Sequence, residues 1–447
     1  MLSILIFIVT VGMIVLRVVE ESLAALLGAS LILLLGLIPF DKAFCEYIDW
    51  NIILILIGMW TLASLLTRAG LPEYLMFKVL RFAKSYKDTI LLLSFLAGII
   101  SMFVDNVLVV LLFVPVVISM SKYSRINPLN GALLVTLSAN FMGTALLLGD
   151  LPPQMLHGVA GAEFLDFIFM QDRPSSFPIL MVSFIITLLL TAKILIKEDK
   201  EIESIMTIVS HKEVNKKLMN LTLLFFIAVI VLMSLRREIS NTLAQYFRVY
   251  SSVEYELKLG VIALTMAILA ALTIEALLKL NKLKAPSFRE IIEGIGWNVV
   301  LFYTSLFVVV GALEYQGVLL SLAKYLQETI ISSGTSIGCT VLYWLSGALS
   351  GFVEHDVYIL TMLYALRDLH GLGALANPWP YYWSLLWAST LGSNLTAAGA
   401  PAIYVAIVLL RKEGLKISPL GILKVTITYT LISLVVTYIL AYIIWFA

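Results

Sequence analysis

The feature that most constrains this chain is a series of apolar segments, each long enough to cross a lipid bilayer. A transmembrane helix needs about 20 mostly apolar residues, because the hydrocarbon core is about 30 Å thick and a helix rises about 1.5 Å per residue. Only 13% of the residues are charged and 61% are hydrophobic, whereas soluble domains carry about a quarter charged residues. The sequence therefore predicts an all-α polytopic membrane protein. Full spans are predicted near 1–16, 22–39, 51–67, 129–170, 177–196, 218–235, 259–279, 297–315, 380–411 and 420–446.

The charge balance and the motifs argue against several other classes of protein. The net charge is +1, so no nucleic-acid partner is expected. Cys45 and Cys339 lie far apart and match no metal or redox spacing. The sequence contains no HExxH motif and no paired histidine ligands, so it predicts neither an enzyme nor a bound cofactor.

Two further apolar stretches, 88–121 and 335–370, carry charged residues at their centres. A single helix of about 34 residues would be about 50 Å long, which is too long for the hydrocarbon core. If each stretch instead formed two full spans joined by a solvated loop, each span would be shorter than a transmembrane helix normally is. The other arrangement is a re-entrant hairpin, whose polar tip must be buried in protein or line a watery cavity. The charged residues are Asp105 in the first stretch and Glu354, His355 and Asp356 in the second.

The placement of lysine and arginine favours the hairpins. If both stretches are hairpins and the N-terminus is outside, 22 of the 30 basic residues lie on one side of the membrane and 8 on the other. The positive-inside rule makes the first side cytoplasmic. Basic clusters at 68–87 and 122–125 flank the first hairpin, and both fall on that side, as re-entry requires. The expected location is the cell (plasma) membrane.

Weak similarity between the two halves predicts an internal repeat. The offset between matching positions grows from 247 to 250 without reversing, as duplication with small insertions produces. Each predicted half has an odd number of full spans, so the second copy would be inverted in the membrane. The matches are Trp50-Asn51 with Trp297-Asn298, Ser101–Asp105 with Ser350–Glu354, Thr144 with Asn394, and Gly149 with Gly399.

The predicted fold is therefore two inverted repeats of about five transmembrane helices each, with one re-entrant hairpin and one broken helix per repeat. The first repeat is expected at 1–200 and the second at 218–447. A charged cytoplasmic linker is expected at 201–217.

Four polar segments, at the two tips and the two breaks, are the candidates for a binding site. A charge at the bilayer centre costs at least about 2.5–3.5 kcal/mol, so such residues usually serve a function. Glycine and proline in 143–154 and 392–401 break the helix and free backbone groups. The alternatives are a simple kink in the first segment and a packing seam of small residues in the second. The predicted binding residues are Asp105, Asn106, Thr144, Gly149, Asp150, Glu354, His355, Asp356, Asn394, Thr396 and Gly399.

At these residues the chain resembles the ion transporter superfamily. It is most similar to the branch of arsenite permeases, NhaD-type sodium–proton antiporters and the P protein, which has a citrate-transporter-like domain. Residues 101–107 resemble the first hairpin of that branch, 143–153 its first broken helix, and 392–400 the matching segment of the second half. The resemblance implies a scaffold part and a mobile part, with dimers and elevator-like movement in some members.

The predicted function is alternating-access transport of a small ion, driven by a sodium or proton gradient. Relatives usually carry an aspartate–asparagine pair where this chain has Glu354-His355-Asp356, and Leu151 is inserted before the paired prolines. With no lysine or arginine at the tips, the carboxylates favour a cation or a neutral acid over a citrate-like polyanion. Symport of a di- or tricarboxylate is the alternative, and an ion channel is a further one. The expected partners are the lipid bilayer, the ion and a second copy in a homodimer, and the predicted sodium ligands are Asp105, Asn106, Thr144 and Asn394.

Overall fold

The protein is almost entirely helical in the part of the chain that the computed structural model describes. The predicted linker is described only from residue 214 onward, and Glu354 lies outside the described residues. Within the described part, the only strands are Phe169–Met170 and Arg173–Pro174, which pair antiparallel. The described residues are 2–16, 18–197, 214–248, 257–281, 283–329, 331–353, 355–397, 399–415 and 417–447.

Within each described range, most α-helices follow one another with short connections. Short π-helical or 3₁₀ segments also occur at Ala43–Tyr47, Phe164–Phe167, Ile331–Ser333 and Tyr442–Phe446. In chain order the helices are α1 (Leu2–Val15), α2 (Glu21–Leu34), α3 (Phe40–Lys42), α4 (Trp50–Ala69), α5 (Leu71–Leu80), α6 (Tyr86–Ser101), α7 (Asn106–Ser124), α8 (Leu129–Gly143), α9 (Leu151–Ala160), α10 (Ser176–Leu195), α11 (Lys216–Ser234), α12 (Arg236–Arg248), α13 (Leu259–Lys279), α14 (Phe288–Glu293), α15 (Trp297–Tyr315), α16 (Val318–Thr329), α17 (Thr335–Leu349), α18 (His355–Gly371), α19 (Trp379–Ser393), α20 (Pro401–Lys412) and α21 (Pro419–Ala441).

The predicted spans coincide with observed helices or helix pairs, which confirms an all-α, multi-pass membrane protein. Among the described residues, six helices are long and apolar enough to cross a bilayer, namely α4, α10, α11, α13, α15 and α21 with its π-helical extension. The two long segments are interrupted, as predicted, between α8 and α9 and between α19 and α20. Helices α5, α12 and α16 are absent from the sequence prediction, because their mixed composition gives no apolar signal of bilayer length.

Helix contacts divide most of the chain into two bundles. The framework bundle contains α1, α2, α4, α11, α13 and α15, with α4 packed along α13 and α2 along α15. The hairpin bundle contains α6 to α10 and α17 to α21. Its two hairpins are α6–α7 and α17–α18, and each first arm packs on the helix before the nearby break, α6 on α8 and α17 on α19. Whether the two halves are inverted repeats in a membrane stays a prediction.

The helices before the breaks form the centre of the hairpin bundle. Helix α8 buries every residue from Gly131 to Gly143, and α19 buries every residue from Pro380 to Ser393. Both breaks therefore start at positions that protein surrounds on all sides. Interrupted backbone is tolerated at membrane depth only in such surroundings.

Polar contacts cross from one bundle to the other near the end of α9. Arg236, at the start of α12 and next to framework helix α11, forms a buried ion pair with Glu163. Arg237 pairs with Asp166 at 3.1 Å. These contacts tie the turn after α9 to the framework bundle.

The buried ion pair gives a prediction about stability. Glu163→Gln leaves the Arg236 charge buried without its partner, so we expect a loss of about 3–5 kcal/mol. Glu413→Gln is the matched control, because it removes an exposed pair with Lys122, for which about 0–1 kcal/mol is expected. Thermal unfolding of both variants in detergent checks this, and equal shifts in melting temperature would contradict it.

Candidate functional site

The first hairpin tip is tied to the first helix break. Asp105 caps α7, and its carboxylate accepts from the backbone N–H groups of Val107 at 3.0 Å and Leu108 at 3.1 Å. Asn106 donates its side-chain N–H groups to Asn140 Oδ1 at 2.8 Å and to Asp150 Oδ2 at 3.3 Å. The tip is thus held by a residue of α8 and by the residue that begins α9.

Asp150 ends the first break by capping α9. Its carboxylate accepts from the N–H of Leu151 at 2.9 Å. Pro152 and Pro153 follow in the first turn, where a missing N–H costs no helical hydrogen bond. The aspartate and the prolines together explain why a new helix starts here.

The second hairpin tip is tied to the second break in the same manner. His355 Nδ1 lies 3.0 Å from the carbonyl oxygen of Gly399. Thr396 donates its hydroxyl to the carbonyl oxygen of Gly351 at 2.6 Å. Asp356 follows His355 in the first turn of α18, and its Oδ1 lies 3.3 Å from His355 Nε2.

The two breaks also bond to each other, and they do so reciprocally. Asn140 donates to Asn394 Oδ1 at 3.1 Å, and Thr144 donates to Thr390 Oγ1 at 2.8 Å. Residues 140 and 390 are related by an offset of 250, as are 144 and 394. Asn140 therefore contacts the counterpart of Thr144, and Thr144 contacts the counterpart of Asn140, which is the contact pattern of a twofold axis.

Gly149 and Gly399 occupy matching and equally crowded positions. A Cβ atom on Gly149 would lie 2.5 Å from the carbonyl oxygen of Ser101 and would also overlap that of Gly143. A Cβ atom on Gly399 would lie 2.5 Å from the carbonyl oxygen of Ser350 and 2.6 Å from that of Ser393. Only glycine lets the break approach the end of the hairpin arm this closely.

A cavity of about 660 Å³ lies between the two bundles. From the hairpin bundle, its lining includes five of the predicted site residues, and it adds side chains of the framework bundle that the sequence did not indicate. The hairpin-bundle group is Asp105, Asn106, Asp150, His355 and Asp356. The framework group includes Glu20, Glu21, Ser22, Asn298, Phe302 and Tyr303.

The cavity is acidic, and four helices of the hairpin bundle begin at its wall. Its lining includes five carboxylates, whereas no lysine or arginine occurs among its described lining residues. Residues from the first turns of α7, α9, α18 and α20 also line it. Helix N-termini attract negative charge. Asp105 and Asp150 already cap α7 and α9 with their own carboxylates.

The other predicted site residues that the structure describes lie behind the cavity wall. Thr144 and Asn394 are fully buried and bond within the network between the breaks. Gly149, Thr396 and Gly399 support the tips. The predicted sodium ligands therefore divide, with Asp105 and Asn106 at the cavity and the other two in the network. No cluster of three or more His, Cys, Asp or Glu side chains suited to a metal is found in the described ranges.

Sequence reasoning missed several residues that matter to this geometry. Asn140 lies in α8, four residues before Thr144, and that spacing would have placed it on the same face. The local sequence does not indicate a binding site at Glu20, Glu21 or Tyr303, because only the packing of distant helices brings them to the cavity. Tyr303 donates its hydroxyl to Asp356.

Comparisons with known proteins identify relatives along most of the chain. A family model described as CitMHS, citrate transporter, matches residues 5–392. An uncharacterised transporter of Mycobacterium tuberculosis is 24% identical over 424 residues, covering 94% of this chain and 92% of the relative. The 46 kDa membrane protein of Mycobacterium leprae is 25% identical over 439 residues, covering 97% and 96%. The human P protein is 28% identical over 150 residues, covering 32% of this chain and 18% of the P protein.

Solved structures share the fold at low sequence identity. The Alcanivorax borkumensis YdaH transporter matches with a TM-score of 0.59 and 13% identity, over 93% of this chain and 88% of that one. Neisseria gonorrhoeae MtrF matches with a TM-score of 0.60 and 14% identity, over 93% and 84%. Together with the P protein match, these findings confirm the predicted resemblance to the ion transporter superfamily.

The crowded glycines give a second prediction. Gly149→Ala and Gly399→Ala each force a Cβ atom against backbone carbonyls, so we expect each to destabilise the protein by about 1–3 kcal/mol. Gly12→Ala is the matched control, because a Cβ atom there meets nothing within 4 Å, and it is expected to be neutral or stabilising by up to about 1 kcal/mol. Thermal unfolding in detergent measures the stability of all three variants. If Gly149→Ala or Gly399→Ala were as stable as Gly12→Ala, the close backbone contacts at that glycine would be refuted.

Proposed function

Because the chain belongs to the CitMHS citrate transporter family, we propose that this membrane transporter is a secondary active carrier of a small ion. It works by alternating access and is coupled to a sodium or proton gradient. The observation that carries this proposal is the acidic cavity between the two bundles. Both hairpin tips reach it from one bundle, and a separate set of side chains reaches it from the other.

The cavity faces the cytoplasm in this arrangement. Under the topology that the basic residues favour, the connection between α1 and α2 and the start of α15 lie on the cytoplasmic side. Glu20, Glu21 and Asn298 of these segments line the cavity. The polar contacts of Arg236 and Arg237 with the turn after α9 lie on the opposite side, where they close the route between the bundles. Movement of the hairpin bundle would break these contacts and open the cavity outward.

The reciprocal bonds between the breaks support two inverted repeats. Asn140 and Thr144 meet the counterparts of each other, and the glycines at 149 and 399 meet matching carbonyls. Inverted duplication within one chain is typical of carriers, whereas channels are usually symmetric oligomers around one pore. The site is therefore that of a carrier, in which the hairpin bundle moves against the framework bundle.

The lining favours a cation or a small neutral acid as the substrate. Five carboxylates face the cavity with His355, and no basic residue is found among the described lining residues. Asp105 and Asn106 would bind the ion at the first tip, and His355 and Asp356 at the second. Thr144 and Asn394 would act through the network behind them. Such a lining suits the transport of a cation or a neutral acid, as by a sodium–proton antiporter or an arsenite permease, better than that of a polyanion.

A carboxylate substrate is the second candidate, and two observations favour it. The matching family model carries the description citrate transporter, and four helix N-termini converge on the cavity, where backbone N–H groups can hold an anion. Such a substrate would have to enter among the acidic side chains.

A homodimer remains our expectation from the resemblance.

Reconstitution in liposomes tests the function directly. We expect saturable uptake with counterflow for one member of a panel of sodium, arsenite and citrate, under imposed pH or sodium gradients. Saturation and counterflow follow from a site that binds its ion before it moves. Flux that never saturates would indicate a channel, and absence of uptake for all panel members would remove the proposed substrates.

The two capping aspartates can be tested without disturbing their helices. Asparagine caps a helix about as well as aspartate, so Asp105→Asn and Asp150→Asn remove charge but keep the caps. We expect uptake to fall about 10–100-fold, the factor for a lost charged interaction of about 1.5–3 kcal/mol. Asp49→Asn is the matched control, because Asp49 caps α4 in the same manner but does not line the cavity. Equal uptake by all three variants would argue against a role for the two carboxylates.

A further inference from the structure

A second pocket, of about 320 Å³, lies among the ends of three helices of the hairpin bundle. Helices α8 and α21 begin at it and α10 ends at it, and residues at these ends that line it include Leu129, Gly421 and Leu195. It shares no described lining residue with the acidic cavity. The pocket is therefore separate from the candidate transport site.

Direct contacts hold the three helix ends around the pocket. Asn130, in the first turn of α8, donates its side-chain N–H to the carbonyl oxygen of Leu195 at 2.8 Å. Gly421 lies against α8, because a Cβ atom on it would come within 3.3 Å of Leu129 Cδ2. Tyr86, which is buried at the start of α6, also lines the pocket. The walls are thus part of the packed bundle.

The pocket is positively charged. Lys197 and Lys424 line it, and no aspartate or glutamate occurs among its described lining residues. Neither lysine forms an ion pair with another residue of the described ranges. The first turns of α8 and α21 add partial positive charge, while the Leu195 carbonyl at the opposite kind of helix end is already bonded. Glu198, which follows Lys197 in the chain, lies outside the described residues.

The predicted topology puts the pocket at the cytoplasmic surface of the bilayer. The connection between α7 and α8, the end of α10 and the start of α21 all belong to the side on which most of the basic residues lie. Helices α10 and α21 are both long and apolar enough to cross the bilayer, and they pack along each other. A ligand in this pocket would therefore lie where lipid headgroups lie.

Exposed apolar side chains continue from the pocket along both spans. On α10, Ile194 lines the pocket, and Leu190 precedes it by one helical turn on the same face. On α21, Ile427 and Leu431 follow Lys424 on one face. All four apolar side chains are exposed. The surface next to the cationic pocket is thus suited to contact hydrocarbon chains.

We propose that this pocket binds the headgroup of an anionic phospholipid of the cytoplasmic leaflet, with its acyl chains along α10 and α21. Two unpaired lysines complement the phosphate of such a lipid, and basic pockets between transmembrane helices on the cytoplasmic side suit anionic headgroups. Inorganic phosphate would satisfy the lysines but would leave the apolar surface beside them without a partner. The site lies entirely on the hairpin bundle, so the proposal does not depend on alternating access.

Native mass spectrometry of the full chain in a neutral detergent tests the proposal. The probes are phosphatidylglycerol, phosphatidylcholine with the same acyl chains, and inorganic phosphate. We expect one phosphatidylglycerol to bind more tightly than any phosphatidylcholine, because the choline group cancels the charge of its phosphate. Inorganic phosphate at the same concentration should not displace the lipid.

Paired variants locate the site. Lys197→Gln with Lys424→Gln should weaken phosphatidylglycerol binding about 30-fold, about fivefold for each lysine near a lipid surface. Lys197→Arg with Lys424→Arg keeps both charges and should keep most of the affinity. The matched control is Lys279→Gln with Lys412→Gln. It removes two exposed lysines of the same predicted side that do not line the pocket, and it should bind as the wild type does.

Three results would overturn the proposal. Equal affinity of the wild type for the two lipids would remove the preference for an anionic headgroup. Loss of affinity in the control as large as in the pocket variant, or in neither of them, would put the lipid elsewhere. Displacement of the lipid by inorganic phosphate would assign the pocket to a free anion. Uptake into liposomes is measured separately, so none of these results bears on the proposed transport.

Discussion

A polypeptide backbone in hydrocarbon must satisfy its own hydrogen bonds, and the architecture depends on how this chain meets that requirement. An unpaired backbone group in lipid costs several kcal/mol, so an interrupted helix is possible only inside a shell of protein. Such a shell surrounds the helices that lead into the breaks, because α8 and α19 are buried around their circumference. The hairpins complete it, because their tips bond to the breaks through Asn106 and Thr396. Crowding at Gly149 and Gly399 is the result of packing backbone on backbone.

The same requirement explains where the cavity is and what each bundle contributes to it. Four helices begin at one place because two hairpins and two breaks turn the chain there, and their N-termini face the cavity. Carboxylates gather at these positive ends, and Asp105 and Asp150 are both caps and cavity groups. The framework bundle has uninterrupted helices, and it supplies side chains such as Tyr303 from their surfaces. The proposed binding site is therefore shared between a part built around broken helices and a part built from straight ones.

Much of this could be predicted from the sequence, for reasons that particular residues show. Apolar length located the spans, and the charges of Asp105 and Asp356 marked the tips, because both signals are local. Proline and glycine located the breaks. The sequence did not reveal which side chains reach the cavity, since Tyr303 and Asp356 are 53 residues apart and meet only through helix packing. For the same reason Thr144 and Asn394, which were predicted as ligands, are found in the network behind the cavity.

The reciprocal bonds between the two breaks bear on how such a chain could arise. Asn140 meets Asn394, and Thr144 meets Thr390. Two identical half-length chains facing each other across an axis would make one such contact twice, once from each chain. If the halves are the inverted repeats that the sequence predicts, an ancestor of half the present size would have needed copies inserted in both orientations in one membrane. Each copy could then diverge after fusion, but a substitution at either break would still have to suit the opposite half.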